Sequence, residues 1–223
     1  MELNKMSETM CYRLHNLFNS LPRYTIDNID DIPFKNGIYI FFQKGERYYH
    51  FDRIVRVGTD TGENQLISRM RQHFLNENKD RSIFRKNIGR AFLMKDGNPL
   101  IDYWNIDLTS RKNKAIYYDI DKTNRCKLLE KQISEFMKAN FSFVVFSLNN
   151  KDNRLRFEEA IISTLFNSND FIASSDWLGN YVPATKGNHV KESRMWLSQG
   201  IHAKPVTEEE FALLFQICRG KQE

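Results

Sequence analysis

The chain has 223 residues, of which 41% are hydrophobic and 27% charged, and its 33 Lys and Arg residues exceed its 28 Asp and Glu residues by five. These values are typical of a soluble globular protein and exclude disorder over most of the chain, because 17 Phe, nine Tyr and three Trp residues supply ample apolar surface to bury. A charge of +5 is compatible with a nucleic-acid partner without requiring one.

The sequence shows no sign of a membrane span or of a cysteine framework. No stretch approaches the roughly 20 apolar residues that cross a bilayer, and the first 23 residues carry mixed charge, unlike a secretory signal. Cys11, Cys126 and Cys218 are odd in number and far apart, which argues against disulfides or a zinc cluster. We therefore expect a reduced, cytoplasmic protein with no membrane partner.

The first elements are predicted to be a helix and a β-hairpin. Residues 7–21 have apolar side chains at helical spacing. Two β-rich apolar runs follow, 37–43 and 53–59, and Gly45 lies between them as a turn signal. We expect a hairpin with a long or partly paired connection over 44–52.

The middle of the chain is predicted to alternate helices with one strand. The helices run from Leu66 to Phe74 and over 82–93, 124–139 and 154–166, and the strand covers 141–148. The helix over 124–139 is expected to bury Leu128 together with Leu129 and Ile133.

The last part of the chain is predicted to be a loop and a well-marked helix. Residues 167–190 read as a loop whose Trp177 and Leu178 pack onto the core. Thr207 and Glu210 have the spacing of a capping box, and Gly220 lies where the helix should end. The element order gives a single α+β domain, residues 1–223, with a small antiparallel sheet.

Several residues are candidates for chemistry, although each has a structural explanation when taken alone. Tyr39 lies in the first strand, Gly58 ends the second, and Arg69 and His73 share one helix face. Glu158 lies on a helix that is otherwise built for burial. A basic stretch follows the Arg69 helix and comprises Lys79, Arg81, Arg85, Lys86 and Arg90.

Taken in chain order, these residues form a recognisable set. G-I-Y at 37–39, a glycine that ends the second strand, R-x-x-x-H-F from Arg69 and a late Glu followed by two Ile residues resemble the GIY-YIG nuclease superfamily over about residues 35–182. The resemblance implies a three-stranded antiparallel sheet flanked by helices, with helical extensions over 1–30 and 183–223. It also implies DNA cleavage with Mg²⁺ or Mn²⁺ as cofactor.

The resemblance assigns a role to each matching residue. It places Tyr39 near the attacking water, Arg69 on the scissile phosphate, His73 one turn later as a proton acceptor, and Glu158 on the metal. Glu158 is preferred to Glu159 because the family places two apolar residues three and four positions on. The chemistry agrees, since a guanidinium binds two phosphate oxygens at once and a Mg²⁺ site needs only one or two carboxylates.

The second tripeptide departs from the family pattern. It reads R-V-G, so Arg56 replaces the second tyrosine. We count Arg56 among the catalytic candidates because a cation there would lower the pKa of a nearby phenol. Tyr48 or Tyr49 is a candidate to fill the vacant position.

The family also often carries an asparagine after the metal-binding helix. Asn167 and Asn180 are the candidates here, and the spacing matches neither well. Asp176 is a third polar residue that could make an equivalent contact.

We therefore expect a metal-dependent DNA endonuclease, restriction-like or stand-alone, for which a homodimer would place two sites on two strands. Arg81, Arg85, Lys86 and Arg90 are expected to bind nucleic acid. The alternative is a catalytically inactive nucleic-acid-binding module, which the loss of the second tyrosine favours. A third hypothesis, a protein-interaction adaptor, predicts no DNA binding even at low salt.

Overall fold

Three strands form one antiparallel sheet, with the order β2–β1–β3, in a computed structural model that describes residues 9–185, 187–197 and 199–220. The strands are β1 (Gly37–Tyr48), β2 (Phe51–Gly58) and β3 (Phe141–Ser147). This arrangement confirms the predicted α+β fold with a small sheet flanked by helices.

The described ranges contain nine α-helices and two 3₁₀ segments, Ile26–Asp31 and Leu178–Tyr181. The helices are α1 (Met10–Asn19), α2 (Leu66–Phe74), α3 (Ile83–Lys95), α4 (Leu100–Asn105), α5 (Arg111–Tyr117), α6 (Ile120–Asn140), α7 (Lys151–Phe166), α8 (Val190–Ser193) and α9 (Glu208–Arg219). None of them is long and apolar enough to cross a membrane.

The sheet is the middle layer between two apolar cores. Because successive side chains of a strand point to opposite faces, Tyr39 and Phe41 pack with α2, α3 and α6, whereas Ile38 and Ile40 pack with α1, α7 and α9. Burial on both faces explains why the strand sequences read as almost continuous apolar runs.

The hairpin connection is partly paired, which was one of the two expected forms, and it is not long. The two strands are joined at Tyr49 and His50, and within 44–52 Arg47 pairs with Asp52 and Tyr48 with Phe51. Gly45 lies inside β1 with φ of +87°, where the pairing with β2 is irregular, and it does not form the turn. The end of β1 was hard to predict from the sequence because it contains polar residues. One of them, Glu46, is buried in an ion pair with Arg53.

The helices differ from the predictions mainly at their ends. Helix α1 covers Met10–Asn19, and residues 7 and 8 of the predicted 7–21 helix lie outside the described residues. Helix α6 starts at Ile120 and buries Leu129 and Ile133 as predicted, but Leu128 lies off this face and is exposed, so its predicted burial is wrong. Helices α4 and α5 were not predicted, since neither has a long apolar stripe.

The C-terminal predictions are largely confirmed. Trp177 and Leu178 are buried, although the expected loop also contains a 3₁₀ segment and the start of α8. At α9 the Glu210 amide donates to the Thr207 hydroxyl at 3.2 Å, and the Thr207 amide donates to the Glu210 carboxylate at 3.0 Å. This is the expected capping box.

Single residues pair with the backbones of the two outer strands. Tyr24 and Phe143 of β3 exchange two backbone hydrogen bonds of 2.7 and 2.8 Å. On the β2 side, the Trp196 amide donates to the carbonyl of Val55 at 2.6 Å. Segments from both ends of the chain are therefore fastened to the sheet.

Candidate active site

A cleft of about 400 Å³ opens where the end of β2 meets α2 and α7. It is lined by four of the five residues that the sequence predicts as catalytic, Tyr39, Arg56, Arg69 and Glu158. These residues come from four different elements, so only the folded chain brings them together.

Gly58 determines where the Tyr39 ring can lie. The two residues are paired across β1 and β2, and a Cβ on Gly58 would overlap the ring and hydroxyl of Tyr39. The absence of a side chain therefore lets the phenol cross the end of β2 and reach the cleft. The glycine of the second motif thus has a steric function.

His73 lies behind Tyr39 and is fully buried. Its Nε2 is 3.0 Å from the Tyr39 hydroxyl, and its Nδ1 is 2.9 Å from the hydroxyl of Ser82. Burial, together with the charges of Arg56 and Arg69, holds the pKa of His73 well below its ordinary value. The ring is therefore neutral, with one nitrogen donating and the other accepting, and it reaches the cleft only through Tyr39.

Ser82 is a residue that the sequence analysis missed. It caps α3 by accepting a hydrogen bond from the Arg85 amide at 3.3 Å, and it also contacts His73. Its hydroxyl thus joins the imidazole to a fixed helix end. The signal in the sequence was its helix-cap position, which does not reveal that the histidine lies beside it.

Two arginines line the cleft in different environments. Arg69 is half-buried on α2, and its guanidinium donates to the side chain of Gln72. Arg56 is buried, donates to the carbonyl of Trp196, and has its centre 5.1 Å from the Phe84 ring. Its Nε is buried and has no hydrogen-bond partner within the described part of the chain.

Glu158 supplies the partly buried carboxylate of the cleft. Burial raises its pKa to about 7, while Arg56 and the Thr59 backbone act in the opposite direction. Glu159 lines the same cleft from an exposed position. The described residues contain no cluster of three or more side chains that could hold a metal ion. Mg²⁺ does not need one, because it is commonly bound by one or two carboxylates together with water and phosphate oxygens.

The predicted nucleic-acid contact of Arg85 is wrong. Its side chain is fully buried, and its Nε donates to Glu130 of α6 at 2.8 Å. It also donates to the backbone carbonyls of Glu130 and His73 at 2.8 and 3.2 Å. Arg85 therefore joins α3 to α6, and the sequence could not show this because its partner lies 45 residues away.

The other basic residues of the stretch differ in exposure. Arg81 is exposed, while the mostly buried Lys86 forms an ion pair of 3.0 Å with Asp80. Arg90 is partly buried, and its Nε donates to Asn105 at 2.7 Å. Of the predicted contacts, Arg81 is the one whose side chain is freely presented to solvent.

The candidates to replace the missing tyrosine lie elsewhere. The hydroxyls of Tyr48 and Tyr49 donate to Asp170 at 2.7 and 2.9 Å, at the far end of β1 from Tyr39. Neither lines the cleft, whereas Arg56, which stands at the second tyrosine's place in the sequence motif, does.

Neither candidate asparagine lines the cleft. Asn167 donates to the Ser163 carbonyl at 2.9 Å, and Asn180 donates to the Ser174 carbonyl at 3.0 Å. Both amides stabilise local turns, and Asp176 does not line the cleft either.

The C-terminal segment contributes a wall of the cleft that no sequence motif predicted. Leu197, Gln199 and Gly200 are its lining residues. Gly200 has φ of +85° and lies against Ile162 of α7. Only this glycine gave a local signal, that of a turn, and nothing in the spacing linked the segment to the cleft.

Comparison with known proteins identifies the family of the chain. No curated protein and no solved structure matches the chain. The family model described as the GIY-YIG domain matches residues 19–217, which is most of the chain. The chain therefore belongs to the GIY-YIG superfamily, a family of nucleases.

Proposed function

We propose that the protein is a metal-dependent DNA endonuclease, restriction-like or stand-alone, that hydrolyses phosphodiester bonds in this cleft. The observation that carries the proposal is the convergence of Tyr39, Arg56, Arg69 and Glu158 on one cavity. A phenol, two guanidinium groups and a carboxylate are complementary to a phosphodiester, an attacking water and a divalent cation.

The two arginines stabilise the charge that develops on the phosphoryl oxygens. Arg69 would bind the scissile phosphate, and Arg56, which lines the same cleft and is held by the Trp196 carbonyl, would be a second, preorganised cation beside it. Donors that are fixed before the reaction and shielded from water stabilise a transition state strongly. Arg56 thus contributes phosphate binding where relatives carry a second phenol.

Tyr39 and His73 handle the proton of the attacking water. The Tyr39 hydroxyl lines the cleft and is placed to orient the water or to take its proton. The neutral His73 can accept the phenolic proton at Nε2, 3.0 Å away, while Ser82 holds its Nδ1. His73 acts through Tyr39 and is therefore a positioning and proton-holding residue.

Glu158 is the residue that would hold Mg²⁺ or Mn²⁺. Such a cation polarises a phosphoryl oxygen and stabilises the leaving oxygen. Burial makes the Glu158 carboxylate costly to ionise, so a cation beside it favours the charged form. Glu159 is the neighbouring carboxylate on the more exposed side.

The second candidate is an inactive nucleic-acid-binding module, which Arg56 in place of tyrosine favours. Against it stands Glu158, since a partly buried carboxylate beside a bound phosphate repels it when no cation is present.

The test is incubation of supercoiled plasmid with the full chain and Mg²⁺ or Mn²⁺. We expect nicked or linear products that disappear with EDTA and with Glu158→Gln, whereas Glu159→Gln, the matched control, retains cleavage. Intact plasmid with a salt-sensitive gel shift would establish the inactive module instead. Equal loss of cleavage in both variants would contradict the assignment of the cation to Glu158 alone and would show that Glu159 is also required.

A further inference from the structure

Helix α5 contributes no buried residue to the fold. Large apolar side chains at its end, in the following connection and at the start of α6 are about half exposed, between 49 and 59%, namely Ile116, Tyr117, Tyr118 and Ile120. A seven-residue helix gains little stability from its own hydrogen bonds. An exposed apolar group of this size is typical of a binding surface.

The same helix is basic. Arg111, Lys112 and Lys114 are all exposed, and no acid occurs between Asp107 and Asp119. Asp107 is engaged locally, because the amide and hydroxyl of Thr109 donate to it at 2.8 and 2.6 Å. The surface therefore combines three positive charges with aromatic and aliphatic side chains.

The loop before α5 is fastened beside the cleft. The Lys79 ammonium donates to the Ile106 carbonyl at 2.7 Å, and the Leu108 amide donates to Asp80 at 3.4 Å. Asp80 is three residues before Ile83, and Ile83 lines the cleft. The exposed Arg81 lies between these two residues in the chain. Helix α5 thus begins three residues after Leu108, which is bonded to the segment that leads into the α3 wall of the cleft.

We propose that residues 110–120, the α5 surface, bind duplex DNA beside the bond that is cut, a proposal that rests on the function proposed above. Arg111, Lys112 and Lys114 bind backbone phosphates. The apolar side chains lie against the groove or wedge between base steps, as apolar residues of minor-groove binders do. Self-association through this surface is disfavoured because a two-fold contact would bring its positive charges together.

The charge test measures binding of a mixed-sequence 40-bp duplex in EDTA, so that cleavage cannot interfere. We expect the triple variant Arg111→Ala/Lys112→Ala/Lys114→Ala to bind roughly ten- to a hundredfold more weakly at 0.1 M salt and to flatten the slope of log affinity against log salt by about 2.7. The matched control is Lys44→Ala/Arg47→Ala/Lys138→Ala, which changes three exposed basic residues of β1 and α6 that line one separate surface pocket. Its affinity and slope should stay those of the unaltered chain.

The aromatic test uses Tyr117→Ala/Tyr118→Ala. Because phosphate contacts remain, we expect weaker binding by several-fold with an unchanged salt slope. Both variants change exposed side chains, so their melting temperatures should match that of the unaltered chain, and this is checked first.

The outcomes separate this inference from the proposed function. Weaker binding in the triple variant without plasmid cleavage by the unaltered chain would support the α5 surface and overturn the endonuclease. Cleavage by the unaltered chain with unchanged binding in the α5 variants would overturn the α5 surface alone. Dissociation of a dimer by Tyr117→Ala/Tyr118→Ala with unchanged DNA affinity would make α5 a self-association surface and overturn the inference, as would absence of duplex binding at low salt.

Discussion

At the residue scale, Gly58 matters through the side chain that it lacks. Replacement by Ala would drive a methyl group into the ring of Tyr39, and the phenol would have to leave the position it holds against His73. We expect Gly58→Ala to lower the cleavage rate by about a hundredfold, the effect of displacing a reacting group by about 1 Å.

The control for this prediction is Gly62→Ala, measured in the same plasmid assay. A Cβ at Gly62 meets only the flexible side chain of Gln65, so cleavage should be retained. Full activity of Gly58→Ala would mean that Tyr39 tolerates displacement and does not position the water.

The raised pKa of Glu158 leads to a prediction about how the free energy of unfolding depends on pH. Its pKa rises from an ordinary 4.5 to about 7 in the folded chain, so between these values the folded state binds more protons than the unfolded state. The free energy of unfolding therefore falls as pH rises through this window. Glu158→Gln removes the penalty and should stabilise the chain by at most about 3 kcal/mol at pH 8, with little effect near pH 4.

Urea unfolding in EDTA at the two pH values measures this difference. Glu159→Gln is the control, since Glu159 is exposed and its replacement should leave the pH dependence unchanged. Equal stability of Glu158→Gln and the unaltered chain at pH 8 would contradict the buried, costly carboxylate.

At the element scale, local sequence patterns predicted the strands and helices that bury an apolar stripe. They did not predict structure that depends on contacts between residues far apart in the chain. The strands and the helices α2, α3 and α7 follow their periodicity. Strand β1 extends beyond its apolar run because Arg53 neutralises Glu46 in the interior, whereas a glutamate in the sequence indicates a solvent-exposed position. For the site, ordered motifs predicted Tyr39 and Glu158, but no pattern showed the C-terminal wall of the cleft.

The prediction at this scale compares the stability of two variants, Arg85→Ala and Arg81→Ala. Arg85→Ala leaves the carboxylate of Glu130 buried without its partner between α3 and α6, so we expect a loss of about 3–5 kcal/mol in the free energy of unfolding. Arg81→Ala changes an exposed side chain four residues earlier and should alter stability by less than about 0.5 kcal/mol.

Chemical denaturation of both variants measures the contrast. Unchanged stability of Arg85→Ala together with weaker DNA binding would contradict the structural role and would show that Arg85 contacts nucleic acid, as the sequence predicted.

At the scale of the whole molecule, the sheet depends on residues outside the 35–182 region that resembles nucleases in sequence. One face packs against Leu14 and Phe18 of α1 and Leu214 of α9, and the other against Trp196. The family match over residues 19–217 includes Trp196 and Leu214, whereas Leu14 and Phe18 precede it. The two cores therefore need both ends of the chain.

A chain cut to residues 35–182 should consequently lose cooperative folding. We expect a broad thermal transition and binding of a hydrophobic dye, while the full chain unfolds with coincident near- and far-ultraviolet circular dichroism changes. A sharp, dye-free transition of the shortened chain would show that the inner region is an independent domain.

A sheet of three strands has two edges at which another chain could add a strand, and edge pairing of this kind leads to aggregation. Tyr24 and Trp196 occupy backbone groups at those edges. Trp196 also accepts from Arg56 in the cleft, so one short segment protects an edge and orients a phosphate-binding group. Substitutions that loosen it should reduce solubility and cleavage together, and inactive variants in this segment should be recovered largely as insoluble protein.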